Sequence, residues 1–234
     1  MKSWLVRDVM TVDVVTVAEE TPYREIVDIL TARRVSAVPV VDSFRYVVGV
    51  VSEADLMHKV EFTGEDKVRR FFEGRRQRAA RSKAGGETAR DLMTAPAVTI
   101  LADTPLAAAA RRMSEEGVKR LPVVDDLGRL VGIVTRGDLL RVYQRPDEEI
   151  RSDIVQAVLR RSLWVDTGRV AVDVKAGVVT LTGQLETKSL AMIVVQLTGA
   201  VPGVVDVVDR LGFDLDDTAM AHSRAYRSHP FNAT

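Results

Sequence analysis

Cysteine is absent from this chain, so neither disulfides nor thiolate metal sites can form, and an intracellular setting is compatible with that. Aromatic residues are scarce at 5%, while 46% of the chain is hydrophobic, so any core must be built mainly from valine, alanine and other aliphatic side chains. No excess of one charge exists either: 33 basic residues stand against 33 acidic ones, and a nucleic acid or an anionic membrane would have to be met by a local patch. The longest uncharged run, Ser189 to Val205, is interrupted by Gly199, Pro202 and Gly203 and falls short of the roughly 20 residues a bilayer-spanning helix needs. At the N-terminus, Arg7 and Asp8 arrive before a signal-peptide core can develop, which makes the cytoplasm the expected compartment.

The common signatures of catalysis are missing as well. There is no Walker loop and no Gly-x-Gly-x-x-Gly. The three histidines, His58, His222 and His229, fall at a helix end and in the C-terminal tail, and they read as surface residues rather than as ligands or general bases. No nucleophile is paired with a base in a readable way, so an enzyme is not expected.

What the chain does contain is an internal repeat. At a constant offset of 83 residues, Met10 falls on Met93, Pro22 on Pro105, Pro39 on Pro122, Gly49 on Gly132 and Asp55 on Asp138. About a third of the positions from Arg7 to Met57 match their partners, the mark of a duplicated supersecondary unit. In each copy, Val14–Val17 or Ala97–Ile100 reads as a short buried strand. Thr21-Pro22 or Thr104-Pro105 then announces a helix, with threonine as N-cap and proline in the first turn. Two β-branched runs follow, "AVPVVD" with "YVVGVV" and "RLPVVDD" with "RLVGIV", and each pair reads as two strands around a turn. A second helix starts at Ser52 or Thr135, giving strand, helix, strand, strand, helix twice over.

Ser52 with Asp55, and Thr135 with Asp138, permit two readings. One is a helix cap, in which the hydroxyl satisfies a backbone N–H and the acid favours the positive helix end. The other is a clamp, in which the carboxylate accepts two hydrogen bonds from the vicinal hydroxyls of a ribose while nearby backbone N–H groups attract phosphate. Both roles are compatible in one residue. Arg136 adds a cation or is simply solvated, and the adhesion-like tripeptide Arg136-Gly137-Asp138 is set aside because it lies in a strand-to-helix junction.

The order of elements, "RVSAVPVVD", "GVKRLPVVDD" and Gly-apolar-apolar-[Ser/Thr]-x-x-Asp in both copies resemble the CBS motif, and two in tandem resemble a CBS pair, or Bateman module. The resemblance covers residue 6 to about 143. It implies two motifs packed sheet to sheet in one disc, two clefts that take adenosine compounds, and homodimers formed through helices. It also implies that Asp55 and Asp138 hold ribose. The residue four before the proline, Val35 or Val118, would line an adenine pocket, and the next two would offer groups to phosphates. Lys119 and Arg120 are cations there, whereas Ser36 and Ala37 are not, so phosphate recognition is expected to rest on the second copy.

Between the copies, residues 67–88 are rich in arginine and end near Gly85-Gly86. They read as a solvated linker helix with Phe71 and Phe72 packed on the disc, or as a patch for nucleic acid or phospholipid headgroups. After Pro146 the pattern changes. Ile150, Ile154, Val155, Val158 and Leu159 fall on one helical face, residues 169–183 alternate around a turn at Ala176-Gly177, residues 188–200 read as a helix and 203–215 as a strand. Gly-Val-Val-Thr-Leu-Thr-Gly at 177–183 and Gly-Val-x-x-Val at 203–207 resemble the BON domain, whose members are proposed to attach to phospholipid or to proteins. The glycines serve turns and identify fold rather than chemistry.

The expected architecture is therefore mixed α+β: CBS motif 1 at 1–62, a basic linker at 63–88, CBS motif 2 at 89–145, a BON domain at 146–216 and a disordered tail at 217–234. The expected function is a non-catalytic cytoplasmic regulator, membrane-peripheral if at all. Its CBS pair binds AMP, ADP or ATP, with S-adenosylmethionine or NAD as other choices, no cofactor is required, and the BON domain relays the signal to a protein or attaches to phospholipid. The ligand-contacting set is Val35, Ser36, Ser52, Asp55, Val118, Lys119, Arg120, Thr135, Arg136 and Asp138. The rivals are a ligand-free adaptor and a nucleic-acid binder using the basic linker; nucleic acid is the less favoured partner.

Overall fold

The computed structural model describes residues 4–62 and 83–218, arranged as two compact units. One spans Trp4–Leu139 and the other begins at Leu140. The arginine-rich stretch up to residue 82, Phe71, Phe72, His222, His229 and the tail from residue 219 lie outside the described residues.

In the first unit, α1 (Tyr23–Arg33), β1 (Ala37–Val41), β2 (Val47–Ser52) and α2 (Glu53–Glu61) form the first repeat. The second comprises α3 (Ala89–Leu92), β3 (Ile100–Leu101), α4 (Leu106–Glu115), β4 (Arg120–Val124), β5 (Leu130–Thr135) and α5 (Arg136–Leu140), whose last residue already belongs to the second unit. The duplication extends to register. Val38 faces Val51 and Pro39 faces Val50 in one antiparallel pair, and Leu121 faces Val134 and Pro122 faces Ile133 in the other. Even the bulge recurs, between Val40 and Val41 and between Val123 and Val124. Val38, Val40 and Val51 are fully buried, as are Leu121, Val123 and Val134. Each such side chain contributes about 1.5–3 kcal/mol.

Two expectations are corrected. The helices α1 and α4 begin after the prolines, so Pro22 and Pro105 occupy the N-cap position and Thr21 turns back to accept the N–H of Ala18 at 3.1 Å. The strands expected at 14–17 and 97–100 shrink to a single rung at Val17 and to the two residues of β3. Val17 N donates to Pro39 O at 3.1 Å, and Val41 N donates to Val17 O at 2.9 Å. Val14 and Val15, like Ala97 and Val98, leave the sheet and wall a cleft instead.

The segments leading into the repeats exchange places. Val6 and Val9, which precede the first repeat, are buried with Ile100, Met113 and Leu121 of the second. Ala89 and Leu92, which precede the second, are buried with Ile26, Val38 and Leu56 of the first. Thr11 bridges to Ile133, and Thr94 bridges to Val50. The fit is made by glycine: a Cβ on Gly132 would lie 2.6 Å from Met10 Sδ, and one on Gly49 would overlap Met93 Sδ. The end of the expected linker also belongs to this fold, since Thr88 bridges to Pro22 and Glu87 O accepts the N–H of Tyr23 at 2.8 Å.

In the second unit, α6 (Asp147–Asp153) runs on into a wide π-helix (Ile154–Ser162), followed by β6 (Val170–Lys175), β7 (Val178–Thr187), α7 (Lys188–Gly199) and β8 (Asp206–Leu215). β6 pairs antiparallel with β7, and β8 pairs parallel with β7 after the crossover through α7. The expected turn is present, with Ala176 and Gly177 at φ 50° and 76° and both their N–H groups bound by the Asp147 carboxylate at 2.8 and 2.9 Å. Ile150, Ile154, Val158 and Leu159 pack on Leu181 and Val194. Asp217, expected to begin a disordered tail, instead accepts the N–H of Ser189 at 3.0 Å. No helix among the described residues is long and apolar enough to cross a membrane.

Candidate functional site

In the first unit a cleft lies beside each repeated acid. The cleft at Asp138 has a volume of about 510 Å³ and the one at Asp55 about 410 Å³. Leader exchange builds both. Thr11 and Val15, from ahead of the first repeat, face Thr135 and Asp138 of the second; Thr94 and Val98, from ahead of the second, face Ser52 and Asp55 of the first.

All ten sequence-predicted residues border one or both clefts. Val35, Thr135, Arg136 and Asp138 line the first, while Val118, Ser52 and Asp55 line the second. Ser36, Lys119 and Arg120 line both. The expectation that Lys119 and Arg120 select one cleft is therefore corrected: β4 starts at Arg120 on the wall between the two. Charge asymmetry arises elsewhere. Arg136 faces the Asp138 cleft, whereas its repeat partner Glu53 faces the Asp55 cleft. Arg34, which the sequence reading missed, adds another cation to the Asp138 cleft, and Asp13 adds an acid. A signal for Arg34 existed, because it ends α1 at φ 52° where its partner is Gly117, the residue type that usually holds that conformation.

Each acid does cap its helix. Thr135 N and Oγ donate to Asp138 Oδ2 at 2.9 and 2.7 Å, and Ser52 N and Oγ donate to Asp55 Oδ2 at 2.9 and 2.6 Å. The capping bonds thus fall on one oxygen of each carboxylate. Asp138 is 7% exposed and one of only two buried polar side chains among the described residues, the other being Thr198. Arg120 Nη2 donates to Ser36 Oγ at 2.8 Å. Burial lowers the Arg120 pKa from its usual value and the nearby Glu53 carboxylate partly opposes this; the guanidinium remains a cation. α5 has only five residues, so its dipole is small, and Arg34, Lys119, Arg120 and Arg136 are the cations on the Asp138 cleft. His58 sits on α2 with Nδ1 2.8 Å from Glu61 Oε2, away from both clefts. Among the described residues no group of three or more His, Asp or Glu is placed to hold a metal ion.

The CBS domain family matches residues 6–61 and 89–145, and the BON domain family matches residues 146–213. The chain belongs to the CBS domain family and carries a BON domain. An uncharacterized protein of Methanocaldococcus jannaschii is 30% identical over 156 residues, 58% of this chain and 89% of that protein. The chloroplastic CBS domain-containing protein CBSX2 of Arabidopsis thaliana is 32% identical over 136 residues, 53% of this chain and 56% of that protein. The CBS pair thus spans little more than half of the length of the plant protein. A crystal structure of CBSX2 in complex with AMP superposes with a TM-score of 0.53 and 33% identity, covering 60% of this chain and 97% of that one. Both matched CBS segments contribute walls to each cleft of this CBS pair.

Proposed function

We propose that this protein is a non-catalytic regulator whose CBS pair binds an adenosine nucleotide in the Asp138 cleft. The observation that carries the reading is the cleft's composition: the buried Asp138 carboxylate together with four cations, Arg34, Lys119, Arg120 and Arg136, against one further acid, Asp13. A carboxylate suits a ribose diol, and a cluster of cations suits a phosphate. The apolar faces of Val14, Val15 and Val35 suit a purine ring. A volume of about 510 Å³ falls in the usual range for small-molecule sites. The AMP complex of the similar plant protein supports the same ligand class.

Regulation follows if the ligand binds two conformations unequally, and a phosphate drawing cations from both repeats supplies such a difference. The response would pass to the BON domain, which would engage a protein or phospholipid partner in the cytoplasm; pairing of two CBS pairs into a homodimer fits the same scheme. Calorimetry with adenosine, AMP and ATP tests the proposal. AMP should bind at least about tenfold tighter than adenosine, as expected for charge-assisted bonds to phosphate. Arg136→Glu should erase that advantage while leaving adenosine binding in place. Equal affinity of wild type for adenosine and AMP, or no heat with any of the three, refutes it.

A further inference from the structure

The Asp55 carboxylate is saturated from within the chain. Oδ2 accepts Ser52 N and Oγ, and Oδ1 accepts Lys83 Nζ and, at 3.4 Å, Thr94 Oγ. Lys83 Nζ also donates to Thr94 Oγ at 2.8 Å, which fixes the ammonium between the two. Neither end of the Lys83–Asp55 pair is fully in water, with side chains 18% and 13% exposed. A carboxylate offers about four acceptor positions, and a ribose diol needs two of them.

We propose that Lys83 is a built-in competitor for sugar hydroxyls, so that the Asp55 cleft takes a ribose-bearing ligand only once Lys83 has left. The inference rests on the reading of these acids as ribose clamps. A ligand arriving at Asp55 has to separate a shielded ion pair and break the Lys83–Thr94 hydrogen bond before it makes its own bonds. Glu53 on the same cleft offsets part of the attraction that Lys119 and Arg120 would exert on a phosphate. The Asp55 cleft is thereby given a threshold: it would fill only at a ligand concentration high enough to displace the ammonium.

The test isolates the Asp55 cleft by removing the acid of the other. Adenosine binding is measured by calorimetry for Asp138→Ala alone and combined with Lys83→Met, Lys83→Gln or Lys83→Arg. Removing one charged competitor should tighten binding about tenfold or more in the Met and Gln combinations, and Arg should leave it weak. Adding Asp55→Ala should abolish the gain. Met and Gln combinations that bind no tighter than Asp138→Ala, or a gain that survives Asp55→Ala, overturn the latch.

A second readout keeps Lys83 in place. In Asp138→Ala protein, saturating adenosine should accelerate reductive methylation of the Lys83 amine several-fold, followed by mass spectrometry, and an unchanged rate overturns the latch. Failure of the nucleotide reading looks different. Wild type would then bind no AMP, whatever the Lys83 variants do at Asp55.

Discussion

Replacing Gly49 by alanine tests the exchange of leader segments on which both clefts depend. Gly49 is buried in β2 opposite Val40, and its added methyl would overlap the thioether of Met93, delivered from ahead of the other repeat. Overpacking of this kind costs about 1–3 kcal/mol, and the flexible methionine favours the lower half of that range. For a unit of this length the loss corresponds to a Tm lower by about 4 °C per kcal/mol. Met93→Ala should itself cost about 2 kcal/mol, since the side chain is half-buried and its loss opens a void beside Gly49.

The decisive variant is the double one, Gly49→Ala with Met93→Ala, because the methyl added in β2 then occupies space that the methionine side chain has vacated. The two costs should fall short of additivity by about 1 kcal/mol or more, where independent sites agree within roughly 0.3–0.5 kcal/mol. Urea unfolding followed by the fluorescence of Trp4, which packs on the core of this unit, reports the cycle in a Trp164→Phe background. Additive costs, or a Gly49→Ala midpoint equal to wild type, would mean that Met93 does not pack on Gly49 and that the leaders have been placed on the wrong repeats.

Two predictions concern the BON domain. Thr198 Oγ is fully buried and has no hydrogen-bond partner among the described residues, so Thr198→Val should be neutral or stabilising by up to about 1 kcal/mol in calorimetric melting; a loss larger than that would reveal a bond to the hydroxyl. The Asp216 carboxyl is held down at about 2, against a usual 3.8, by hydrogen bonds first from the Lys188 side chain and then from Thr218. A depressed acid stabilises the fold fully above its unfolded value and loses that contribution as pH falls through the folded one. Wild type should therefore out-melt Asp216→Asn at pH 5, with the two curves converging toward pH 2. A gap that persists or widens in acid contradicts the assignment.

Much of this was legible from local pattern. The 83-residue offset predicted both hairpins, and the structure keeps it down to the bulge after Val40 and Val123. The alternation around Ala176-Gly177 and the apolar face of Ile150 to Leu159 placed the BON elements in order. The acids at the helix starts were found because a cap and a clamp call for the same residues at the same spacing. Lys83 could not be found in this way. It lies 28 residues from Asp55, and only folding brings an ammonium from an arginine-rich stretch onto that one carboxylate.

By itself, then, the sequence determined the repeat, its strand pairing and the chemistry available at the clefts, because those are set by spacings of a few residues along the chain. Which repeat each leader completes was left to the tertiary structure. Met10 has two matching glycines to choose from, and so has Met93, and composition cannot distinguish them. Packing resolves the degeneracy by sending Met10 to Gly132 and Met93 to Gly49, and with that choice each acid acquires a wall from the other copy.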